Sequence, residues 1–340
     1  MTTLLQEAKM LQAFLKAGIY GDAKSGKSYT ASLIAIGLHK LINSQKPIAY
    51  FDTETGSEYL LPTLYQPAGI KLISYKSRSF SDLLTVYKEA VGGMAEILII
   101  DSISHVWAEI QRAYKQKYNT TYIEMQDWQP IKENWGAFTD EYLNAKLHVI
   151  VCGRSKEMYE QQINDKGKAQ QVVVGTRMAT EKNLAYEPSL LVEMEKVLDK
   201  HTGFITPRAW ILGDRFSQID GKVFDKPTFN TFMPHIGMLN IGGEHQGVDV
   251  SSSSKNLFND DNDNNRYEYN KKKAIALEKI EAEMDLRFPS RTDAGKQKRL
   301  NVCKEIFGTF SKVEIEAMRL ETLLEKLTLL SNLPNEPKEK

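Results

Sequence analysis

The stretch that decides the fold is Gly21-Asp22-Ala23-Lys24-Ser25-Gly26-Lys27-Ser28. It has the spacing of a phosphate-binding loop, in which a glycine and four further residues precede Gly-Lys-Ser. Residues 13–20 are mostly apolar and predict a buried strand, and residues 29–42 carry apolar side chains at helical spacing without a proline. A strand, a glycine-containing loop and a helix, in this order, are the context that the motif requires.

The backbone of such a loop accounts for its chemistry. Successive N–H groups point into a concavity of phosphate size, and the helix N-terminus adds partial positive charge. We expect Lys27 to contact the β- and γ-phosphates of ATP and the Ser28 hydroxyl to bind Mg²⁺. Contacts to the nucleotide are expected from the whole loop and from the residue after it: Gly21, Asp22, Ala23, Lys24, Ser25, Gly26, Lys27, Ser28 and Tyr29.

Apolar runs and helical patterns alternate after the loop. The predicted strands are residues 47–52, 70–75, 97–100 and 147–152, and the predicted helices are residues 81–91, 105–118 and 131–145. This alternation predicts an α/β fold with a mostly parallel central sheet. Beyond Cys152, two patterns typical of hairpins follow, with turns near residues 164–167 and 201–203. We therefore expect antiparallel strands to extend the sheet to about residue 238.

Composition divides the chain into four parts. Residues 1–240 form the predicted ATPase core, and residues 241–270 are so rich in serine, asparagine and aspartate that they predict a flexible polar linker. Helical periodicity over residues 271–332 predicts a small bundle of three helices, followed by a tail at 333–340.

Charge and composition exclude several classes of protein. Formal net charge is zero over 340 residues, so a nucleic-acid site has to be a local patch. The two cysteines, Cys152 and Cys303, lie far apart without metal-type spacing, which argues against a disulfide framework or a zinc site. The sequence has no signal-peptide pattern and no apolar run of membrane-spanning length. We expect a cytoplasmic protein without a membrane partner.

Two carboxylates follow predicted strands. Asp101 ends the most apolar strand and is expected to hold the Mg²⁺ shell through water. Because Ser102 follows it where many P-loop ATPases have a glutamate, the general base has to come from elsewhere. Glu54, after the neighbouring strand, could orient a water in line with the γ-phosphate. The alternatives are a turn residue for Asp101 and a surface carboxylate at a helix start for Glu54.

Together, the loop, Phe51-Asp52-Thr53-Glu54 and Ile99-Ile100-Asp101-Ser102 resemble the core of RecA-like recombinases and KaiC-type ATPases over residues 14–239. More narrowly, the chain is similar to phage RecA-like ATPases of single-strand annealing or recombination. The resemblance implies a RecA-like P-loop fold, ATP and Mg²⁺ as cofactors, and DNA-stimulated ATP hydrolysis. It also implies a homo-oligomer on single-stranded DNA and, for a phage-encoded chain, location in the host cytoplasm.

The chain departs from the recombinase pattern at one place. Recombinases have a glutamine that senses the γ-phosphate after the strand expected to end at Cys152, and this chain has Gly153-Arg154-Ser155-Lys156 there. Arg154 or Lys156 is the candidate for that role, in its own subunit or toward a neighbour's nucleotide. The departure leaves strand exchange without support.

Basic and aromatic residues interleave in two places. One set is Arg112, Tyr114, Lys115, Lys117, Tyr118 and Tyr122, and the other is Lys156, Lys166, Lys168 and Arg177. Single-strand nucleic-acid surfaces combine rings that stack on bases with cations that follow phosphates. A solvated helix end with partly buried tyrosines is the alternative for the first set. His105 and Trp107 are expected to be packing residues.

Three functions remain open at this stage. The first is an ATPase that acts on single-stranded DNA. The second is a nucleotide-gated adaptor or loader, with slow or absent hydrolysis, whose C-terminal bundle recruits a helicase or a single-strand-binding protein. The third is a P-loop kinase for a small molecule, which leaves Glu54 and the antiparallel extension unexplained.

Overall fold

The computed structural model describes residues 7–125, 127–163, 169–198, 203–248, 261–288 and 293–333. The chain divides into two compact units, Met1–Val248 and Asp249–Lys340. Each unit is described by itself below.

The first unit is built on one mixed sheet. Its strands are β1 (Lys16–Gly21), β2 (Ile48–Asp52), β3 (Leu72–Lys76), β4 (Ile97–Asp101), β5 (His148–Ile163), β6 (Ala169–Met178), β7 (Leu190–Leu198), β8 (Ile205–Asp214) and β9 (Val223–Asp225). Their order is β3-β2-β4-β5-β1-β7-β8-β9, and β6 pairs with β5 outside this path. The pairs from β3 to β7 are parallel, and β8, β9 and β6 are antiparallel to their partners. The predicted α/β fold, a mostly parallel central sheet extended by antiparallel strands, is confirmed.

Helices cover both faces of this sheet. They are α1 (Lys27–Leu41), α2 (Ser57–Leu60), α3 (Gln66–Ala68), α4 (Phe80–Glu89), α5 (Ile103–Lys117), α6 (Trp128–Asn144) and α7 (Phe229–Ile236). Every residue of β1, β2 and β4 is buried, as expected for parallel strands covered on both faces. One apolar layer contains Ile34 and Phe232, and the other contains Trp135 and Phe138.

Strand β5 does not end at Cys152, as the sequence predicted, but continues to Ile163. Its first part lies in the sheet between β4 and β1, and the part from Ser155 onward pairs with β6 alone. We call this two-stranded part, residues 155–163 and 169–178, the ribbon. The predicted turn at 164–167 lies outside the described residues. The predicted hairpin is present, but its first strand is a continuation of β5, which the sequence did not indicate because the exposed residues along the ribbon give no burial signal.

Two helical segments were not predicted. Helices α2 and α3 are joined by a π-helical turn, Leu61–Tyr65, and prolines lie near the starts of that turn and of α3. The junction residues Leu61 and Tyr65 are helical, so these prolines lie inside one continuous helical segment, where each removes an N–H donor, and the irregular π-helical turn lies next to them. Helix α7 contains Pro234 and begins with a capping box between Thr228 and Thr231.

The predicted linker, residues 241–270, is wrong at both ends. Residues 241–248 belong to the first unit, where the Gln246 amide donates to the Leu11 carbonyl (3.1 Å) and the Val248 amide to Asn144 Oδ1 (2.7 Å). At the other end, helix α8 (Asp261–Arg287) begins ten residues before the predicted start. Aspartate stabilises a helix near its N-terminus but has a low propensity for the helix interior. The predicted helix therefore began later in the sequence than α8 does. Residues 249–260 lie outside the described ranges.

The described part of the second unit contains four helices rather than three. After α8 come α9 (Asp293–Phe307), α10 (Lys312–Ala317) and α11 (Leu320–Ser331). Their core includes Ile280, Met284, Phe307, Leu323 and Leu330. A groove of about 780 Å³, with apolar residues such as Leu277, Leu300 and Phe310 in its lining, lies among α8, α9 and α10. Over the residues described in both units, no helix has the length and apolar character that a membrane crossing needs.

Candidate nucleotide site

The loop between β1 and α1 has the backbone of an anion-binding turn. Lys24 and Gly26 adopt positive φ angles of 60° and 100°, and α1 starts at Lys27. No side chain caps the start of α1 and its first turn has no acidic residue, so its N–H groups suit an anion. A Cβ atom on Gly21 would lie 2.0 Å from the Met194 carbonyl oxygen, which explains the glycine at this position.

A cavity of about 710 Å³ opens above this loop. It is lined by Gly21, Asp22, Ala23, Lys24, Gly26, Lys27, Ser28, Tyr29, Glu54, Gly56, Tyr59, Leu60, Arg154 and Ser155. Ser25 is the one predicted loop residue that does not line it. Its buried hydroxyl, without a partner among the described residues, lies beside a neighbouring cavity of about 450 Å³. The Lys27 ammonium donates to the Asp22 carbonyl at 2.6 Å, within reach of the same cavity.

Asp101 lies at the end of β4, directly against the loop. Its Oδ2 accepts hydrogen bonds from Ser28 Oγ (2.5 Å) and from the Tyr50 hydroxyl (2.7 Å), and the residue is 3% exposed. Burial raises the pKa of Asp101, and the two hydroxyl bonds oppose that rise because they favour the carboxylate. The peptide bond between Asp101 and Ser102 is cis.

Ser28 and Asp101 fit a Mg²⁺ ion by the chemistry of their donor atoms. Mg²⁺ prefers oxygen ligands and is usually held by one or two protein oxygens together with water and substrate phosphates. A hydroxyl and a carboxylate that meet beside the phosphate loop are such a pair. These two residues are the ones that would hold the ion.

Glu54 follows β2 and lines the same cavity. Its Oε1 accepts two bonds from Arg154, from Nε at 3.1 Å and from Nη2 at 2.8 Å. His105 Nε2 lies 3.6 Å from the same oxygen, and His105 Nδ1 is 2.7 Å from Thr53 Oγ1. Burial and the neighbouring Arg154 lower the pKa of His105. The structure thus brings Glu54 and Arg154 together, and it adds His105, which had been expected only to pack.

Asp52 has a purely structural role among these carboxylates. Its oxygens accept from the backbone N–H groups of Glu54 (3.0 Å), Gly56 (3.2 Å) and Ser57 (2.9 Å). These bonds fix the turn that carries Glu54 into the cavity and fill the acceptor sites of a side chain that is 2% exposed. Asp52 therefore caps a turn.

A second cavity, of about 520 Å³, lies at the root of the ribbon; we call it the basic cavity. Four cations, Lys132, Lys156, Arg177 and Lys182, line it together with Trp107 and Trp128. The two indole rings are stacked, with centroids 6.1 Å apart and an interplanar angle of 28°.

The basic cavity has a pair of neighbouring cations that favours an anion, and it shares a contact with the nucleotide cavity. Lys156 and Arg177 are direct cross-strand partners, an arrangement in which like charges repel unless an anion lies between them. Ser104 lines the cavity, and its Oγ accepts the Arg154 amide at 2.9 Å, so one residue contacts both sites. Lys156 thus lines the basic cavity and not the nucleotide cavity.

The basic and aromatic residues predicted at the end of the helix after β4 do not line the basic cavity. At the end of α5, the rings of Tyr114 and Tyr118 lie 4.6 Å apart and Lys117 is 5.4 Å from the Tyr118 ring. Lys166 and Lys168 fall outside the described residues.

Ser189, His235 and Asp214 have the connectivity of a catalytic triad. Ser189 Oγ is 3.1 Å from His235 Nε2, and His235 Nδ1 is 2.6 Å from Asp214 Oδ1. His235 is fully buried, and Ser189 Oγ also donates to the Lys16 carbonyl. A histidine without access to solvent or substrate cannot pass a proton to a leaving group, so these residues fasten α7 to the sheet.

The fold and the loop define a P-loop nucleotide-binding protein. A family model described as an AAA domain matches residues 13–216, so the chain belongs to this AAA domain family and is a P-loop ATPase by family. No curated protein matches its sequence. Among solved structures, the chain is similar to a KaiC-like protein from Pyrococcus horikoshii OT3, with 14% identity over 62% of this chain and 86% of that one and a TM-score of 0.40.

Some residues of the site could not be identified from the sequence. Tyr50 is an interior strand residue, and its bond to Asp101 depends on the pairing of β2 with β4. Trp128 and Lys182 join the basic cavity from separate elements. Among the residues that the sequence analysis did not assign to the site, His105 had a local signal, because it lies shortly after the end of β4.

Proposed function

We propose that this ATPase hydrolyses ATP with Mg²⁺ and acts as a homo-oligomer on single-stranded DNA, in annealing or recombination. The observation that carries the ATPase part is that the loop and Glu54 line one cavity, while Asp101 is hydrogen-bonded to Ser28 of that loop. The stacked tryptophans and the four cations of the basic cavity support the DNA part, because single-strand sites combine aromatic stacking with cations along the backbone.

The arrangement supports a direct displacement at the γ-phosphate. The loop N–H groups and Lys27 hold the triphosphate, and Arg154 or a basic residue of a neighbouring subunit stabilises its negative charge. Glu54 orients the attacking water and accepts its proton, while the bond from the γ-phosphorus to the bridging oxygen breaks to leave ADP and phosphate. Bound Mg²⁺, held by Ser28 and Asp101, would neutralise charge on the phosphate oxygens.

Self-association is supported by the exposed apolar side chains of the ribbon. Met158, Tyr159, Val173 and Val174 are all more than a third exposed, although they occupy strand positions. Exposed apolar residues on a strand pair are typical of surfaces that meet another chain. In the proposed assembly, copies of the chain lie side by side along one DNA strand.

ATP hydrolysis with and without single-stranded DNA tests this function. We expect the DNA to raise the rate, and Lys27→Ala to reduce hydrolysis by at least about a hundredfold, because the triphosphate no longer meets the ammonium group. A Lys27→Ala protein that hydrolyses ATP at the wild-type rate would contradict the assignment of the site. A rate of ATP hydrolysis that single-stranded DNA does not change would contradict only the proposed action on DNA.

The apolar groove of the second unit favours a second candidate, a nucleotide-gated adaptor or loader. A groove of about 780 Å³ among helices suits a helix of a partner such as a helicase or a single-strand-binding protein. Truncation after Val248 separates the two functions, because residues 241–248 belong to the first unit. An adaptor would lose partner binding and keep DNA-stimulated hydrolysis, whereas loss of hydrolysis as well would argue against a separable arm.

A further inference from the structure

Positive charge is concentrated in the basic cavity. Its four cations are Lys132, Lys156, Arg177 and Lys182, and Glu181 is the acidic residue in the described lining. The Glu181 carboxylate accepts the backbone amide of Asn183 at 2.6 Å. Across the described ranges, none of the four cations forms an ion pair with a carboxylate. The cavity therefore has a surplus of positive charge, which suits an anion with more than one negative charge.

Two of these cations face each other across the ribbon. Lys156 and Arg177 lie directly opposite on its two strands. Like charges at such positions destabilise a strand pair, and an anion bound between them removes that repulsion. A phosphate inside a nucleic-acid strand is a diester with a single negative charge, whereas a terminal phosphate is a monoester that carries about −1.5 to −2 at pH 7. The pair therefore favours a phosphate monoester.

Trp128 is the ring of the cavity on which a base can stack. Trp107 already contacts two other indoles, since it is stacked on Trp128 and lies edge-on to Trp135 with centroids 4.9 Å apart. The cavity volume of about 520 Å³ lies within the range of about 300–1,000 Å³ that is typical of pockets for one small molecule. A groove that follows a single strand spans several nucleotides, so this cavity suits one nucleotide rather than a run of them.

Thr180 adds a fixed hydroxyl to the lining. The residue is 7% exposed, and its buried Oγ1 has no hydrogen-bond partner within the described part of the chain. The Ala179 amide donates to the Arg154 carbonyl at 2.7 Å and the Thr180 amide to the Met178 carbonyl at 2.9 Å, so the backbone here is held in place. Buried hydroxyls normally have a partner, and a phosphate oxygen beside these cations is a suitable acceptor.

We propose that the basic cavity binds one nucleotide that carries a phosphate monoester, with the phosphate between Lys156 and Arg177 and the base on Trp128. Two sources supply such a group, the phosphorylated end of a DNA strand and a free mononucleotide. For the first source, the inference rests on the proposed action on single-stranded DNA and adds to it a preference for strand ends. A copy bound at an end would determine where the row of copies along the strand begins.

The experiment measures, by calorimetry on the full chain, the binding of oligothymidines of about ten residues, a length within the range of single-strand sites. One series has a 5′-phosphate, a 3′-phosphate or no terminal phosphate, and a second series compares thymidine 5′-monophosphate with thymidine. We expect a terminal phosphate to raise the affinity about tenfold, the gain from one hydrogen bond to a charged group. A gain in the first series identifies strand ends as the source, and a gain confined to the second identifies the free nucleotide.

Four variants locate the effect. Lys156→Gln should abolish the gain from the phosphate, and Lys71→Gln, which removes an exposed charge before β3, is the matched control that should keep it. Lys27→Ala should also keep the gain, which separates the basic cavity from the phosphate loop. Trp128→Leu should weaken the phosphorylated and unphosphorylated probes by the same factor, at least about fivefold, because stacking does not depend on the phosphate.

Equal affinities with and without a terminal phosphate, in both series, would overturn the proposal and leave the proposed action on DNA intact. A gain that survives Lys156→Gln, or that disappears in Lys27→Ala, would overturn it as well, because the monoester would then bind elsewhere. If no oligothymidine binds, the proposed action on DNA fails and the thymidine series still decides the proposal. Thermal midpoints verify that the variants remain folded, which is expected for Lys156 and Lys71 because both are exposed.

Discussion

The Ser28 hydroxyl donates a 2.5 Å hydrogen bond to the Asp101 carboxylate, which joins the phosphate loop to the end of β4. Tyr50 donates to the same carboxylate oxygen, so two hydroxyl groups hold a charge that is almost completely buried. Burial raises the pKa of Asp101, which means that the folded state binds its proton more tightly than the unfolded state does. The ionised carboxylate therefore costs stability at neutral pH, and that cost increases as pH rises above the unfolded pKa.

Asp101→Asn should separate stability from activity. The amide oxygen can accept both hydroxyl bonds without a buried charge, so we expect a thermal midpoint higher by about 2–4 °C, the shift that 1 kcal/mol produces in a domain of this size. We expect Mg²⁺-dependent hydrolysis to fall at least about tenfold, because the carboxylate no longer helps to hold the ion. Calorimetry and a Mg²⁺ titration of the ATPase rate measure the two effects. A variant that is less stable than the wild type and fully active would contradict both the predicted gain in stability and the predicted loss of hydrolysis.

Gly21→Ala should destabilise the first unit. The new Cβ would lie 2.0 Å from the Met194 carbonyl oxygen, a contact that only movement of β1 or β7 can relieve. We expect a loss of about 1–3 kcal/mol in the free energy of unfolding, together with weaker nucleotide binding. Gly56→Ala is the matched control, because φ is −74° there and nothing lies within 4 Å of the added atom. Similar urea midpoints for the two variants would show that the strand contact is unimportant.

Reversing charge in the basic cavity should weaken single-stranded DNA binding. For Lys156→Glu and for Arg177→Glu, we expect the dependence of log K on log salt to become shallower by about 0.7 for each DNA phosphate that the variant no longer neutralises. Fluorescence of Trp107 and Trp128, which line the cavity, reports binding of oligothymidine. Hydrolysis without DNA should stay at the wild-type rate, since neither residue lines the nucleotide cavity. Lys71→Glu, an exposed charge before β3, is the control, and an equal effect there would indicate a non-specific cause.

His148 should make the first unit sensitive to acid. Burial and the nearby Lys16 lower the pKa of His148 to about 3, and its Nδ1 accepts the Leu15 amide at 2.9 Å. Between about pH 6.5 and 3, the unfolded state binds this proton and the folded state does not, so stability falls by up to about 1.4 kcal/mol for each unit of pH decrease. His148→Gln should reduce the slope between about pH 6.5 and 5 by one proton, measured from urea unfolding followed by tryptophan fluorescence. An unchanged slope would exclude His148 as the source.

Much of the nucleotide site could be predicted because its signals are local. The loop motif is contained in eight residues, and Asp101 follows four apolar residues that are buried in the structure. The contact between Glu54 and Arg154 could not be predicted from a local signal, because the two residues are 100 positions apart and meet through the pairing of β2 with β4 and of β4 with β5. The ribbon was predicted as a separate hairpin, and its continuity with β5 was missed because its residues bury little and strand patterns depend on burial.

Strand β5 runs without a turn from the centre of the sheet into the ribbon. Because the strand is continuous, the face of the ribbon that carries each side chain is set relative to the residues of β5 at the nucleotide cavity. Side chains on a strand alternate between its two faces, so a shift of one residue moves every later side chain to the other face. An insertion of one residue between Cys152 and Lys156 would turn the whole ribbon over relative to the nucleotide, while an insertion of two would keep its faces. A change in length at the far end of the ribbon leaves this relation intact, whereas a single insertion near Arg154 preserves it only if a β-bulge, such as the register shift between Met158 and Tyr159, absorbs the extra residue.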